Sequence, residues 1–121
     1  MARILVVDDS TTMRQMVSFT LQDAGHEVTE AADGIAALAE AKGRKFDLVI
    51  TDVNMPGMNG IDLVKSLREL ADFKFTPILV LTTEAGQDVK AKGREVGATG
   101  WIVKPFKQDQ LLAVIKKVTG A

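Results

Sequence analysis

Residues 48–60 read LVITDVNMPGMNG, and this stretch decides the fold. Leu48, Val49 and Ile50 form a continuous apolar run with none of the polar alternation of a half-exposed strand, so the segment predicts a strand buried on both faces. Such strands belong to parallel sheets covered by helices on either side. The run ends in Thr51 and Asp52, and Pro56, Gly57 and Gly60 then predict a tight loop leading into a helix. An acid therefore stands at the carboxyl end of a buried strand.

Three further runs share this character: Ile4-Leu5-Val6-Val7, Ile78-Leu79-Val80-Leu81 and Trp101-Ile102-Val103. A weaker fifth strand, Glu27 to Ala31, alternates polar and apolar residues as a sheet edge does. Helical period fills the intervals: Met13, Met16, Val17, Thr20 and Ala24 on one face, Val64, Leu67 and Ala71 on another, Leu111, Val114, Ile115 and Val118 on a third. Gly25, Gly43-Arg44 and Gly97 stand where helices stop, and Ser10, Asp33 and Asp109 near where they start. Gln87 to Val96 is the poorest helix, with Gly93 inside it at a cost of about 1 kcal/mol against alanine. Strand and helix alternate five times, which predicts an α/β fold with helices on both faces of a parallel sheet, each crossover being right-handed. Five units are too few for an eight-stranded barrel.

The chain has 121 residues, 46% apolar and 26% charged, the composition of one globular domain with a single core. We expect that domain to fill residues 1–121. The absence of cysteine excludes disulfides, thiolate metal sites and cysteine nucleophiles, and fits a reducing cytoplasm. A net charge of −1 with acids and bases interspersed gives no basic stripe for nucleic acid. No apolar run approaches a membrane span, and the four apolar residues between Arg3 and Asp8 are too few for a signal peptide.

In a doubly wound sheet, ligands bind beyond the carboxyl ends of the strands. Those ends carry Asp8-Asp9-Ser10, Thr51-Asp52, Thr82-Thr83-Glu84 and Lys104-Pro105. In the common order 2-1-3-4-5, the first and third strands are neighbours, and Asp8, Asp9 and Asp52 converge. Two carboxylates about 4 Å apart repel by roughly 4 kcal/mol at an effective dielectric of 20, so the cluster calls for a cation. Oxygen ligands without histidine or cysteine favour magnesium, manganese or calcium over zinc, and magnesium best tolerates one or two carboxylates plus water and phosphate. Carboxylates are nucleophiles toward phosphoryl groups. Lys104 offers a positive charge for phosphoryl oxygens, and Thr82 or Thr83 a hydroxyl. Each residue has an ordinary reading: Asp8-Asp9 as a helix cap, Lys104 as an exposed turn residue, Trp101 as core filler, His26 as a turn residue, Met13 and Met16 as core. Acids, threonines and a lysine at four successive strand ends exceed what capping explains.

With these residues placed, the sequence resembles the receiver domains of bacterial two-component signalling throughout its length, and their single-domain chemotaxis members most of all. The match lies in Asp8-Asp9, in Asp52-Val53-Asn54-Met55-Pro56, in Thr82 with Glu84 two residues on, and in Lys104-Pro105-Phe106. The resemblance implies a flavodoxin-like (βα)5 fold of order 2-1-3-4-5, with Asp52 as phosphoacceptor and Thr82 and Lys104 contacting the phosphoryl group. It implies Mg2+, or Mn2+ in its place, bound directly by Asp9 and Asp52, by the backbone carbonyl of Asn54, and by Asp8 largely through water. It also implies a cis bond at Lys104-Pro105. Thr82 and Trp101 would act as the switch, altering the face made by the fourth helix, fifth strand and fifth helix. The implied partners are a CheA-like sensor histidine kinase, a flagellar motor switch protein or another protein target, and a phosphatase, with the chain a monomer.

Such a protein is a phosphoacceptor that assists its own phosphorylation and dephosphorylation, with Glu84 or Asn54 influencing the admission of water, rather than an enzyme. Two residues depart from the best-known chemotaxis member: Trp101 stands where it has tyrosine, and Thr83 where it has alanine. An aspartate-nucleophile phosphatase would want a second acid at position 54, which is Asn. A flavin carrier would want a hydroxyl-rich phosphate loop where Asp8 and Asp9 stand. A stand-alone phosphate sink, or a receiver in a non-chemotaxis phosphorelay, would share the same site.

Overall fold

The computed structural model describes residues 1–83 and 87–120. The elements run β1 (Arg3–Val7), α1 (Thr11–Asp23), β2 (Glu27–Ala31), α2 (Gly34–Gly43), β3 (Leu48–Asp52), α3 (Gly60–Arg68), β4 (Ile78–Thr82), α4 (Gln87–Val96), β5 (Gly100–Val103) and α5 (Gln108–Thr119). All strand pairs are parallel and the order is β2-β1-β3-β4-β5, as expected. Parallel pairing puts every carboxyl end on one rim. Val7 lies opposite both Ala31 and Thr51, Asp52 opposite Leu81, and Thr82 opposite Val103, so the polar residues after these strands share one edge.

Strand side chains alternate between two apolar layers. Leu5, Val7, Val49 and Val80 meet Leu63 and Leu67 of α3 on one face. Ile4, Val6, Ile50 and Leu81 meet Val17 of α1 and Leu111 of α5 on the other. Fully burying one such side chain contributes about 1.5–3 kcal/mol, so both faces of the sheet are closed and ligand access is left to the rim.

Helix punctuation follows the sequence. The Ser10 and Asp33 side chains accept the amides of Met13 and Ala36, and Gly25 and Gly97 turn the chain at φ +91° and +98°. The cap position of α5 is Lys107, and Asp109 lies inside its first turn. Three residues expected on buried helix faces, Met16, Ala24 and Ala71, lie outside the core, Ala24 because it is the exposed cap that ends α1. Met16 is 50% exposed because Val17 and Leu21, four residues apart, define the buried line of α1, and Met16 is rotated about 100° from Val17. Ala71 is exposed because α3 ends at Arg68, and Ala71 begins a short 3-10 turn. His26 is more than a turn residue: its Nδ1 accepts the Ala2 amide at 3.1 Å, and burial, then the N-terminal charge, holds its imidazole below the ordinary value. Among the described residues no helix is long and apolar enough to cross a membrane.

Candidate functional site

Because β1 and β3 are neighbours, the residues that leave them meet. Asp8, Asp9 and Asp52 each offer a carboxylate oxygen, and these oxygens all lie within 4.8 Å of one another. Asp8 and Asp52 are buried while Asp9 is exposed, so the cluster is anchored in the sheet and open on one side. An all-oxygen set of this size fits a hard divalent cation that keeps part of its water shell, as magnesium does. A cleft of about 200 Å³, lined by Asp9, Asp33, Pro56 and Met58 among others, opens beside it.

Lys104 supplies the counter-charge. Its Nζ lies 3.1 Å from Asp52 Oδ1 and 3.4 Å from Asp8 Oδ2, a single ammonium shared by two buried carboxylates. The backbone brings it there: the Lys104 amide donates to the Thr82 carbonyl at 2.7 Å, and the bond from Lys104 to Pro105 is cis. The Val53 amide also donates to Asp52 Oδ1, at 3.0 Å, so Oδ2 has no protein donor among the described residues. Burial pushes the Asp52 carboxyl above its ordinary range; the Lys104 hydrogen bond and charge pull it back, and the Asp8 charge pushes it up again. A desolvated carboxylate with raised proton affinity is a better nucleophile than a solvated one.

The acid turn is held by several bonds. Asp8 donates its amide to the Ala31 carbonyl at 3.2 Å, and its Oδ1 accepts the Ser10 amide at 2.9 Å. Arg14 of α1 donates from Nη1 to the Asp8 carbonyl at 2.7 Å and pairs through Nε with Glu30 at 3.0 Å. On the β3 side, Gly60 opens α3 so close to Asp52 that a Cβ there would run into the Asp52 carbonyl. Its amide donates to the Val53 carbonyl at 2.9 Å, and the Asn59 side chain caps the helix at Asp62. Sequence reasoning passed over Arg14 and read Gly60 only as part of the loop before the helix. Arg14 left a signal, since it stands three and seven residues before Val17 and Leu21 on the buried line of α1.

The other expected site residues lie at or below the rim. Thr82 is buried at the end of β4, and Thr83 is exposed in the bend that follows. Asn54 is exposed two residues after Asp52, in the loop between β3 and α3. Trp101 is half-buried in β5, with the Arg94 guanidinium carbon 5.8 Å from its ring centroid. Glu84 lies outside the described residues.

Comparison with known proteins agrees with this fold. The family model for the response regulator receiver domain matches residues 4–116. The chemotaxis protein CheY-3 of Vibrio cholerae is 44% identical over 117 residues, 96% of this chain and 90% of that protein. The chemotaxis protein CheY of Pseudomonas aeruginosa is 41% identical over 96% of this chain and 94% of its own. Among solved structures, Vibrio cholerae CheY4 superposes with a TM-score of 0.95 at 56% identity, covering 98% of both chains. The receiver domain of a sensor histidine kinase from Pseudomonas aeruginosa, described with a magnesium ion coordinated in its active site cleft, superposes with a TM-score of 0.92 at 27% identity over 99% of this chain and 98% of its own.

Proposed function

The chain belongs to the response regulator receiver domain family, and on that footing we propose that it is a chemotaxis-type switch, one receiver domain over residues 1–121, that accepts a phosphoryl group on Asp52 from a sensor histidine kinase. The observation that supports this most is the shared ammonium: Lys104 lies 3.1 Å from Asp52 and 3.4 Å from Asp8, two members of a three-carboxylate cluster. A capping acid pair has no need of a half-buried lysine, whereas a phosphoacceptor does.

An Asp52 carboxylate oxygen attacks phosphorus in line. As that P–O bond forms, the P–N bond of the donor phosphohistidine, or the P–O bond of an acyl phosphate, breaks and its electrons leave with the donor. Asp9, Asp52 and the Asn54 carbonyl, with Asp8 acting through water, would hold magnesium or manganese, whose positive charge would let an anionic donor approach. Lys104 then transfers its hydrogen bond from Asp52 to a phosphoryl oxygen, and the Thr82 hydroxyl donates to another. Water attacking the acyl phosphate ends the signal, with Asn54 or Glu84 influencing its entry.

Output follows from Thr82 and Trp101, which lie at the end of β4 and in β5 and so can alter the α4–β5–α5 face presented to a protein target such as a motor switch protein. Moving a two-state equilibrium from 1:99 to 99:1 takes about 5.5 kcal/mol, whereas one charged hydrogen bond supplies roughly 1.5–3. Thr82 alone is insufficient, so Lys104, loop amides and the bound target contribute the rest. The protein acts as a cytoplasmic monomer and is reset by hydrolysis or by a partner phosphatase.

The test is mass spectrometry after incubation with acetyl phosphate and Mg2+. About one phosphoryl group per chain is expected, with none on Asp52→Asn and none in chelator. Equal labelling of D52N would move the acceptor elsewhere, and turnover of many equivalents of donor would favour a phosphatase.

A further inference from the structure

We propose that Arg14 is a positioning residue for the metal-binding acids, fixing the Asp8–Asp9 peptide from which Asp9 projects; the proposal rests on the receiver reading of the same site. Val7 is the last residue of β1 with strand partners on both sides, Ala31 and Thr51. Asp8 still donates its amide to Ala31, but its carbonyl has passed the ladder and precedes the first helical bond, from the Arg14 amide to the Ser10 carbonyl at 2.9 Å. A carbonyl stranded between strand and helix needs a donor from elsewhere. The Arg14 guanidinium supplies it at 2.7 Å.

The second prong makes this more than local satisfaction. Arg14 Nε is held by Glu30 of β2 at 3.0 Å, and the Arg14 side chain is only 15% exposed. The guanidinium is thus braced between β2 and the acid turn, and the direction of the Asp8 carbonyl is set by the sheet. A carbonyl's direction fixes its peptide plane, and the plane fixes the next Cα, that of Asp9.

The two acids differ in how much they need this. The Asp8 carboxylate has its own holders, the Ser10 amide and Lys104. The Asp9 carboxylate is exposed and, among the described residues, has no hydrogen-bond or ion-pair partner. Its place in the cluster is therefore inherited from the backbone, and the backbone there is held by Arg14. Groups that orient metal ligands typically change metal affinity by 10–100-fold when removed.

The experiment compares the full chain with Arg14→Ala and Arg14→Lys. Calorimetric titration with MgCl2 gives Kd, and melting in chelator and in saturating Mg2+ gives the metal-dependent rise in Tm. R14A is expected to raise Kd about tenfold and to shrink that rise, since stabilisation by a ligand depends on its concentration over Kd. R14K keeps the charge but lacks the planar fork that serves carbonyl and carboxylate together, so it should fall with R14A. If R14A does not fold, R14K carries the same comparison. A purely structural role would lower Tm equally in both conditions and leave Kd unchanged, which overturns the proposal. So would R14K behaving as the unaltered chain. Failure of the unaltered chain to bind Mg2+ sinks the receiver reading, and this proposal with it; equal binding by unaltered and R14A chains sinks this proposal alone.

Discussion

Arg14 and Arg68 do the same bond chemistry at opposite ends of the sheet. Arg14 meets one carbonyl at the carboxyl rim, beside the acid cluster. Arg68, the last residue of α3, lies at the other end and donates to the carbonyls of Phe73 and Thr76 at 2.6 Å each and of Gly97 at 3.0 and 2.8 Å. It ties the end of α3 to the approach to β4 and to the corner between α4 and β5. Burial draws its guanidinium below the ordinary value, a cost its several acceptors offset. Among the described residues no acid cluster lies near it. The difference teaches that satisfying stranded carbonyls is a general need of parallel sheets, and that it becomes functional only where the held peptide carries a ligand.

The largest effect expected from this contrast is on stability. Arg68→Ala leaves the carbonyls of Phe73, Lys74, Thr76 and Gly97 short of a charged donor and should cost about 3 kcal/mol, because charge-assisted bonds are worth roughly 1.5–3 each and do not add fully. Its Mg2+ affinity should equal that of the unaltered chain. Urea denaturation and a magnesium titration read both numbers. A change in metal affinity as large as that of R14A would break the contrast between the two ends.

A second effect runs in the opposite direction. In metal-free protein, the folded-state carboxyl of Asp52 is raised above its ordinary 3.8, chiefly by burial. A raised carboxyl contributes stability that is fully present below the ordinary value and is lost as pH rises through the folded-state value. At neutral pH the ionised Asp52 is therefore a standing cost. In chelator, Asp52→Asn should melt above the unaltered chain at pH 7, with the gap closing as pH falls toward 4. Saturating Mg2+ should narrow or reverse the order, because the asparagine is a poorer ligand. A gap that widened on acidification would mean that Lys104, not burial, dominates the carboxyl's surroundings.

How much of this was legible beforehand depends on whether the information is local. The runs 4–7, 48–50, 78–81 and 101–103 are β-branched and aliphatic, and each lies within an observed strand. Asp8, Asp9 and Asp52 were legible as a cluster once strand order was supplied by resemblance, because strand ends share a rim. Met16 was misread because a methionine at helical spacing looks like core until Val17 and Leu21 fix the buried line. Arg68 and Gly60 were illegible for a stronger reason. An arginine closing a helix reads as a solvated charge favoured by the dipole, and nothing in the order of residues shows that Gly97, 29 positions on, offers its carbonyl. The need for glycine at 60 likewise exists only once the Asp52 carbonyl approaches it.

The smallest effect concerns the output side, where the holding contacts are soft. Arg94 lies over the Trp101 ring at 5.8 Å, a cation–π contact worth about 0.5–1 kcal/mol at an exposed site. Trp101 packs at the margin of the core and pairs in register with Val80, two residues before Thr82. Arg94→Ala should therefore cost less than about 1 kcal/mol and leave Mg2+ affinity unchanged. It should also leave the indole more open to solvent. Trp101 is the only tryptophan, so its fluorescence reports this ring alone. Acrylamide, being neutral, probes exposure without sensing the lost charge, and its quenching constant should rise in R94A and return most of the way in Arg94→Lys. Unchanged quenching in R94A would mean that contacts other than Arg94 seat the ring. The contrast between the acid turn, held by an arginine, and the indole would then fail, and the search for what biases Trp101 would move from Arg94 to the rest of its surroundings.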